Sequence, residues 1–552
     1  MEKERSVKRL VTTLLAVLTI GNVTVQGQSV HPKLVVVITI DQLRGDLLSF
    51  CRSQYGTGGF NHLLQDGLVF SNVDFGFDGV DEASAIAGIY TGTYPNRHSI
   101  TGSTVFDREK NKSVSILEDK NFLGNYTSEH LSPLKLTSGT IGDELRSATD
   151  GRSKVYAIAP NAVAAIVAAG QSGNGAFWLE DRKGMWATTT YYKDFPWYID
   201  KFNSSADSPS SKISSVVWTP MSSPQSLPVG GDPVAFSHKF SHSNISLFKQ
   251  SAPINEEVTT LALRLIEYGG LELAKQPNLL SLTYYAGRYP AKHQSEHQAE
   301  MVDTYRRLDA QLARLFTALD KKIGLANCII ALSGTGHFNN SIPEESVFPH
   351  KRHRYFSPKR CKALINLYLM ALHGQGQWVL DYADGQLILD KKLAEKKQVD
   401  MRRLQSEVAE FARQMSGVRL ALPAHEIGSG AINEEANRFV RSFRLGQSAD
   451  VCLQLQGGWI EGEEEVSSNS DHKQIRYNAV AAPFILVVPG IKGQKVQRTI
   501  SSTEIAPTLA YILRIRPPRL VPCHYPKWLS EHTIREEEKG VFRSYAGTPH
   551  IS

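Results

Sequence analysis

Asp41 closes a near-continuous apolar run from Leu34 to Ile40, broken only by Thr39, and a carboxylate at the end of a buried strand is a common way to hold a metal ion or anchor a loop. Other ligating side chains stand further along. His293 and His297 are four apart and share a helix face, while His350 and His353 sit in the basic run His350-Lys351-Arg352-His353-Arg354. A zinc site needs three or four ligands, and neither pair has a third at a recognisable spacing. The basic run therefore reads first as a solvated loop and second as an anion site. Cys51, Cys328, Cys361, Cys452 and Cys523 are far apart and lack any Cys-x-x-Cys, which excludes a zinc ribbon or a disulfide-dense scaffold. At most two bridges could form among the 5 cysteines, and Cys328 lies in an apolar strand as a core residue. There is no Gly-x-Ser-x-Gly elbow and no phosphate-cradling loop ending in Gly-Lys-Ser/Thr. The glycine-rich Gly170-Gln171-Ser172-Gly173-Asn174-Gly175 reads as a connection between strands.

The elements that must position such groups are legible as short Val/Ile/Leu runs between helical patterns. Leu34 to Ile40, Val155 to Ala159, Leu279 to Leu282, Ile329 to Leu332 and Phe484 to Val488 read as strands buried on both faces, as in a doubly wound, mostly parallel α/β sheet. Ligands of open sheets gather beyond the carboxyl ends of the strands, so function is sought there. Helices are expected over Asp303 to Leu319 and over Lys392 to Gln414. The Ser/Pro/Gly-dense stretch from Asn203 to Ser251 reads as a long irregular loop. The expected division is a leader over 1–27, a first core part over 28–372, an inserted cap over 373–470, a second core part over 471–520 and a polar tail over 521–552.

Of 552 residues, 41% are hydrophobic and 21% charged, which excludes disorder and leaves ample material for a core. Lys3, Arg5, Lys8 and Arg9 precede an apolar run from Leu10 to Ile20 that is too short for a span of about 20 residues. With Val25-Gln26-Gly27 behind it, the segment reads as a secretory signal peptide. Its removal takes four basic residues with Glu2 and Glu4, lowering the formal charge from +6 to about +4. So small a surplus offers no electrostatic case for nucleic acid. No later segment is apolar enough to span a membrane, and no lipid-attachment cysteine follows the leader.

Several short motifs carry a resemblance when taken in order: Ile40-Asp41-Gln42-Leu43-Arg44, Gly88-Ile89-Tyr90-Thr91-Gly92-Thr93-Tyr94-Pro95, Gly175-Ala176-Phe177-Trp178, Gln447-Ser448-Ala449-Asp450-Val451, Gly457-Gly458-Trp459 and Glu504-Ile505-Ala506-Pro507-Thr508. From about Lys33 to Pro518 the chain resembles the alkaline phosphatase superfamily, and within it the bacterial periplasmic, phosphate-irrepressible phosphomonoesterases. That resemblance implies two zinc ions bridging a Thr or Ser nucleophile, a two-metal arrangement that stabilises attacking and leaving oxygens. Asp41 matches the first metal ligand. Counting back from Ile89-Tyr90-Thr91-Gly92 places Glu82 where the nucleophile is expected. In Thr283-Tyr284-Tyr285-Ala286-Gly287-Arg288, Tyr284 stands for a ligand Asp and Arg288 for a ligand His. In Ser333-Gly334-Thr335-Gly336-His337, Thr335 and Gly336 stand for the later Asp-His pair, and His472 matches the last histidine although Lys473 follows it. The phosphate clamps are replaced too: Asn161 and Val163 occupy a Lys-x-Arg, and Ser103 an Asn.

These substitutions define the expectation. Without zinc, Lys and Arg, a phosphate dianion would face Asp41 and Glu82, and each like-charge pair at 4 Å costs roughly 4 kcal/mol at an effective dielectric of about 20. Arg288 is expected either to answer part of that charge through a guanidinium fork on Asp41 and Glu82, or to point to solvent while Glu82 merely begins a helix. The reading is a pseudophosphatase: no catalytic residues, no zinc or other cofactor, and a binding or scaffold role with protein partners in the cell envelope, in the periplasm or associated with the outer membrane. Two rivals stay open: a hydrolase of phosphate or sulfate esters with one cation on Asp41, Glu82 and His472, and a cleft that binds a carbohydrate or another uncharged ligand.

Overall fold

The computed structural model describes residues 32–193, 195–221, 235–273, 275–290, 296–338, 354–427, 434–444, 447–463, 473–475 and 480–518. The expected leader (1–27) and tail (521–552), together with Cys523, His293, His350, His353 and His472, lie outside these residues, as does the side chain of His297.

Every residue of β1 (Leu34–Asp41) is buried, and its side chains alternate between two apolar clusters. Leu34, Val36, Ile38 and Ile40 enter one, Val35 and Val37 the other, which is the two-sided burial that a continuous Val/Ile/Leu run demands. The same sheet contains β2 (Leu68–Phe70), β3 (Gly124–Asn125), β4 (Val155–Ala159), β5 (Gly175–Leu179), β6 (Trp186–Thr189), β7 (Asn278–Tyr285), β8 (Cys328–Gly334), β9 (Phe484–Val487) and β10 (Gln494–Val496). Their spatial order is β10-β2-β9-β8-β1-β7-β4-β5-β6-β3. β8, β1, β7, β4 and β5 form a parallel centre, while β9 and β6 run antiparallel at its two sides.

Helices cover both faces, among them α1 (Glu82–Thr91), α2 (Ala162–Ala169), α3 (Pro253–Tyr268) and α4 (Glu296–Lys322). α1 and α2 pack on the Val35 side, α3 and α4 on the Leu34 side, so the sheet is doubly wound and the expected α/β class is observed. α1 starts sharply because Asp81 caps it: the Asp81 carboxylate accepts from the Ser84 amide at 2.8 Å, and Ser84 Oγ accepts from the Asp81 amide at 3.0 Å. It ends at Gly92, whose φ of 66° suits glycine.

A second, smaller sheet orders the strands Val379–Ala383, Gln386–Leu389, Val451–Leu455 and Val418–Pro423. Ile365 and Leu369 of the helix Pro358–His373, and Leu404 and Val408 of the helix Met401–Arg413, join Leu387 and Leu453 in one apolar cluster. This unit therefore takes in a helix that starts before the expected boundary at 373. The single helix expected over Lys392 to Gln414 is two, Lys391–Lys396 and Met401–Arg413. Gln398 turns to a φ of 56°, and Asp390 and Asp400 each start a helix by accepting from the Leu393 and Arg403 amides. The expected loop from Asn203 to Ser251 contains a two-stranded ribbon, Val217–Trp218 with His238–Lys239. Composition hid it because its anchor is one side chain: Trp218 is buried, and its indole N–H donates to Asp303 at 2.7 Å.

Cys51, Cys328, Cys361 and Cys452 are buried free thiols. Among the described residues no helix is long and apolar enough to cross a membrane.

Glu257 on α3 gives the fold a testable pH dependence. Its carboxylate meets Lys212 at 2.8 Å, but its second oxygen is buried without a partner, and burial raises the group to about 7 against the pull of Lys212. Below about pH 4.5 folded and unfolded chains both hold the proton; above it the unfolded chain releases it first, so stability falls as pH rises toward 7. Glu257→Gln is expected to remove this slope, on the order of 1 kcal/mol per pH unit across that window. Urea unfolding of both proteins between these pH values measures it.

Candidate functional site

β1, β7 and β8 end together, and the candidate site lies beyond their carboxyl ends. In the parallel register Asp41 faces Tyr285 of β7, while Ile40 faces Gly334 of β8. The turn after β8 then brings Thr335 and His337 onto the Asp41 carboxylate. Thr335 Oγ1 donates to Asp41 Oδ1 at 2.8 Å, His337 Nδ1 stands 3.0 Å from the same oxygen, and Gln42 Nε2 donates to Oδ2 at 3.3 Å. Thr335 Oγ1 also accepts from the Gln42 amide at 3.3 Å. Gln42 holds a φ of 62°, a conformation that a non-glycine residue keeps only where its surroundings fix it.

α1 supplies the opposite wall. Glu82 is the first helical residue, partly buried, and its Oε2 accepts from Asn161 Nδ2 at 2.7 Å. Ser103 bonds Asp81 twice, through its amide at 2.7 Å and its hydroxyl at 2.8 Å. Val163, the second residue of α2, packs partly buried against the apolar cluster of that face.

The electrostatics differ from the sequence expectation. Desolvation and the Asp41 charge push Glu82 up to about 8, opposed by Asn161 and His337. Burial pulls His337 down, but Asp41, Asp81 and Glu82 together outweigh it and hold the imidazole at about 9. At neutral pH Glu82 therefore keeps its proton and His337 carries a positive charge. The like-charge penalty estimated for two ionised carboxylates shrinks accordingly, because one is neutral and the other already faces a cation.

Two residues named from sequence stand elsewhere. Tyr284 shares the Leu280 and Leu282 face of β7, turned away from the site, and its hydroxyl meets Thr259 of α3 at 3.1 Å. Strand alternation is the reason, and it leaves Tyr285 to face the site, where Asp41 and Glu82 act on its hydroxyl. The charges acting on Arg288 are those of Glu300 and Tyr285, so the expected fork on Asp41 and Glu82 gives way to a different counter-charge. That group is His337, which sequence reasoning missed. The signal was present: a histidine one place beyond the position matched by Gly336.

Gly336 itself is fixed by its neighbours. Its φ is 65°, and a Cβ there would lie 2.5 Å from the Phe75 ring. Phe75 is buried in a loop that the helix Glu434–Ser442 grips: Arg438 pairs with Asp74 at 3.1 Å, and Arg441 donates to the Gly76 carbonyl at 3.0 Å.

Two zinc ions do not fit these residues. The positions matched to four ligands carry Tyr284, Arg288, Thr335 and Gly336, and Asp41 is taken up by side-chain donors. Among the described residues no group of three His, Cys, Asp or Glu side chains is placed to hold a metal ion.

A family model described as type I phosphodiesterase / nucleotide pyrophosphatase matches residues 35–471. The chain belongs to that family, in the alkaline phosphatase superfamily. It is 26% identical over 511 residues to the alkaline phosphatase PafA of Elizabethkingia meningoseptica, covering 88% of this chain and 92% of that one. It is 25% identical to the alkaline phosphatase PhoV of Synechococcus elongatus, over 88% of this chain and 91% of that one. The crystal structure of wild-type PafA superposes with a TM-score of 0.77 at 25% identity, covering 90% of this chain and 98% of that one. The superfamily fold is thus retained over nearly the whole chain.

Gly336→Ala tests the turn. Left-handed strain and the Phe75 contact together are expected to cost about 1–3 kcal/mol. Phe75→Leu added to it is expected to recover the steric part only, as read by denaturant unfolding of the two variants beside Phe75→Leu alone.

Proposed function

We propose that this superfamily member is a catalytically inactive, exported homologue that serves as a binding or scaffold subunit of a cell-envelope protein complex. One observation carries the reading. Where the superfamily resemblance expects a nucleophilic hydroxyl, Glu82 stands with its carboxyl group engaged by Asn161. A carboxyl that keeps its proton to about 8 is a poor nucleophile, and the matched positions Tyr284, Arg288, Thr335 and Gly336 are not carboxylate or imidazole ligands, nor are Asn161 and Val163 a Lys/Arg clamp for a transferring phosphoryl group.

The binding role draws support from the surface. Trp197 is 62% exposed and Tyr268 52%, with ring centroids 5.5 Å apart. Exposed Trp and Tyr are the residue types that dominate protein interfaces, and a side-by-side pair is more than the scattered apolar exposure of an ordinary surface. Export follows from the leader read in the sequence, and periplasmic or outer-membrane association from export without a later spanning segment.

The expected outcome with an aryl phosphate or aryl sulfate is no turnover above buffer, with or without added zinc. Glu82→Thr alone is expected to remain inactive, because the ligand and clamp positions are still changed. Zinc-dependent turnover abolished by Asp41→Ala would establish the hydrolase instead. Cross-linking in the native envelope is expected to capture a defined protein complex, with yield lowered by Trp197→Ala/Tyr268→Ala at unchanged Tm; recovery of free monomer alone would count against the scaffold role.

A further inference from the structure

We infer that His337 and Thr335 do for Asp41 what a bound cation does in a metal-dependent phosphatase, so that this end of the cleft is held by protein side chains and takes up no zinc. The inference rests on the reading of a non-hydrolytic cleft and concerns how that cleft stays folded.

Asp41 is a buried carboxylate at the end of the central strand, and such a group is tolerated only when paired and hydrogen-bonded. Its Oδ1 has two partners, Thr335 Oγ1 at 2.8 Å and His337 Nδ1 at 3.0 Å, and its Oδ2 receives Gln42. The three partners come from the two chain segments that leave β1 and β8. Thr335 Oγ1 joins those segments, donating to Asp41 and accepting from the Gln42 amide at 3.3 Å. The carboxylate is thereby used as the knot between two strand ends, with an imidazole as one of its partners.

The alternative, a vacant metal site awaiting an ion, conflicts with the packing around it. Gly336 cannot be replaced by a ligand residue as the chain stands, because its φ is 65° and Phe75 lies 2.5 Å from the place of its Cβ. Phe75 is itself buried, with Phe77 at 6.4 Å edge-on. On β7 the Tyr284 hydroxyl is bonded to Thr259 beneath α3, so that side chain is committed to the core. The imidazole has moved one residue along the turn, and the space at the earlier position is filled by an aromatic ring.

The test uses the full chain purified without chelator, measuring zinc content and thermal unfolding with and without EDTA or added zinc. Wild type is expected to hold far less than one zinc per chain and to keep its Tm in EDTA, while His337→Gln and Thr335→Val each lower Tm by about 2 °C or more. Should His337→Gln fail to fold, Thr335→Val and the EDTA comparison carry the test. Stoichiometric zinc with a Tm that falls in EDTA, or unchanged Tm in both variants, would overturn the inference. Turnover by zinc-free wild type would overturn the non-hydrolytic reading while leaving this one standing, and bound zinc without turnover would do the reverse.

Discussion

A buried carboxylate at the end of the central strand constrains everything around it. β1 is buried on both faces for its whole length, with Thr39 its one polar residue before Asp41, so Asp41 emerges where protein surrounds it and water is scarce. An unpaired charge there would be strongly destabilising, and its partners must come from the neighbouring strand ends. The left-handed Gln42, the left-handed Gly336 and the position of Phe75 against it are all consequences of folding two turns onto one carboxylate. The helix Glu434–Ser442 adds to this indirectly, since Arg438 and Arg441 fix the loop that carries Phe75. Arg108 makes a further long-range tie on the Ser103 side, reaching Asp450 at 2.7 Å.

The sheet was legible because its strands announce themselves by composition. Five apolar runs became five strands of one sheet, within three residues at each end, since a strand buried on both faces needs an unbroken run and little else. Elements whose stability rests on one contact were not legible. The Trp218 ribbon depends on an indole bonded to Asp303, which lies 85 residues away along the chain. The split of the Lys392 to Gln414 helix depends on two aspartates acting as caps, and Asp within a charged helical pattern reads equally well as surface.

The candidate site divides along the same line. The matched positions Asp41, Glu82, Asn161 and Ser103 come together beyond the strand ends, Asn161 on Glu82 and Ser103 on the Asp81 cap beside it. What failed was direction. Matching Tyr284 and Arg288 to ligand places assumed that a substituted side chain keeps the orientation of the one it replaces. A tyrosine in place of a short carboxylate gains far more by burying its ring beneath α3 than by facing a polar cleft, and strand alternation offers Tyr285 to the cleft in exchange. His337 was missed for the opposite reason: position-by-position matching scores a histidine displaced by one residue as a loss, although a turn can carry the imidazole to the same carboxylate.

The charge balance in the cleft follows from that displacement. The sequence suggested that phosphate would be driven off by two carboxylates, yet Glu82 keeps its proton at neutral pH and His337 faces Asp41. The cleft is closer to neutral than to anionic, and what it lacks is a surplus of positive charge. A phosphoryl dianion bound there would find one imidazolium already committed to a carboxylate, and no lysine or arginine at the clamp positions. Under the proposed non-hydrolytic reading, loss of chemistry requires no repulsion. It is enough that the cation serving the site has become part of the structure that holds the site together.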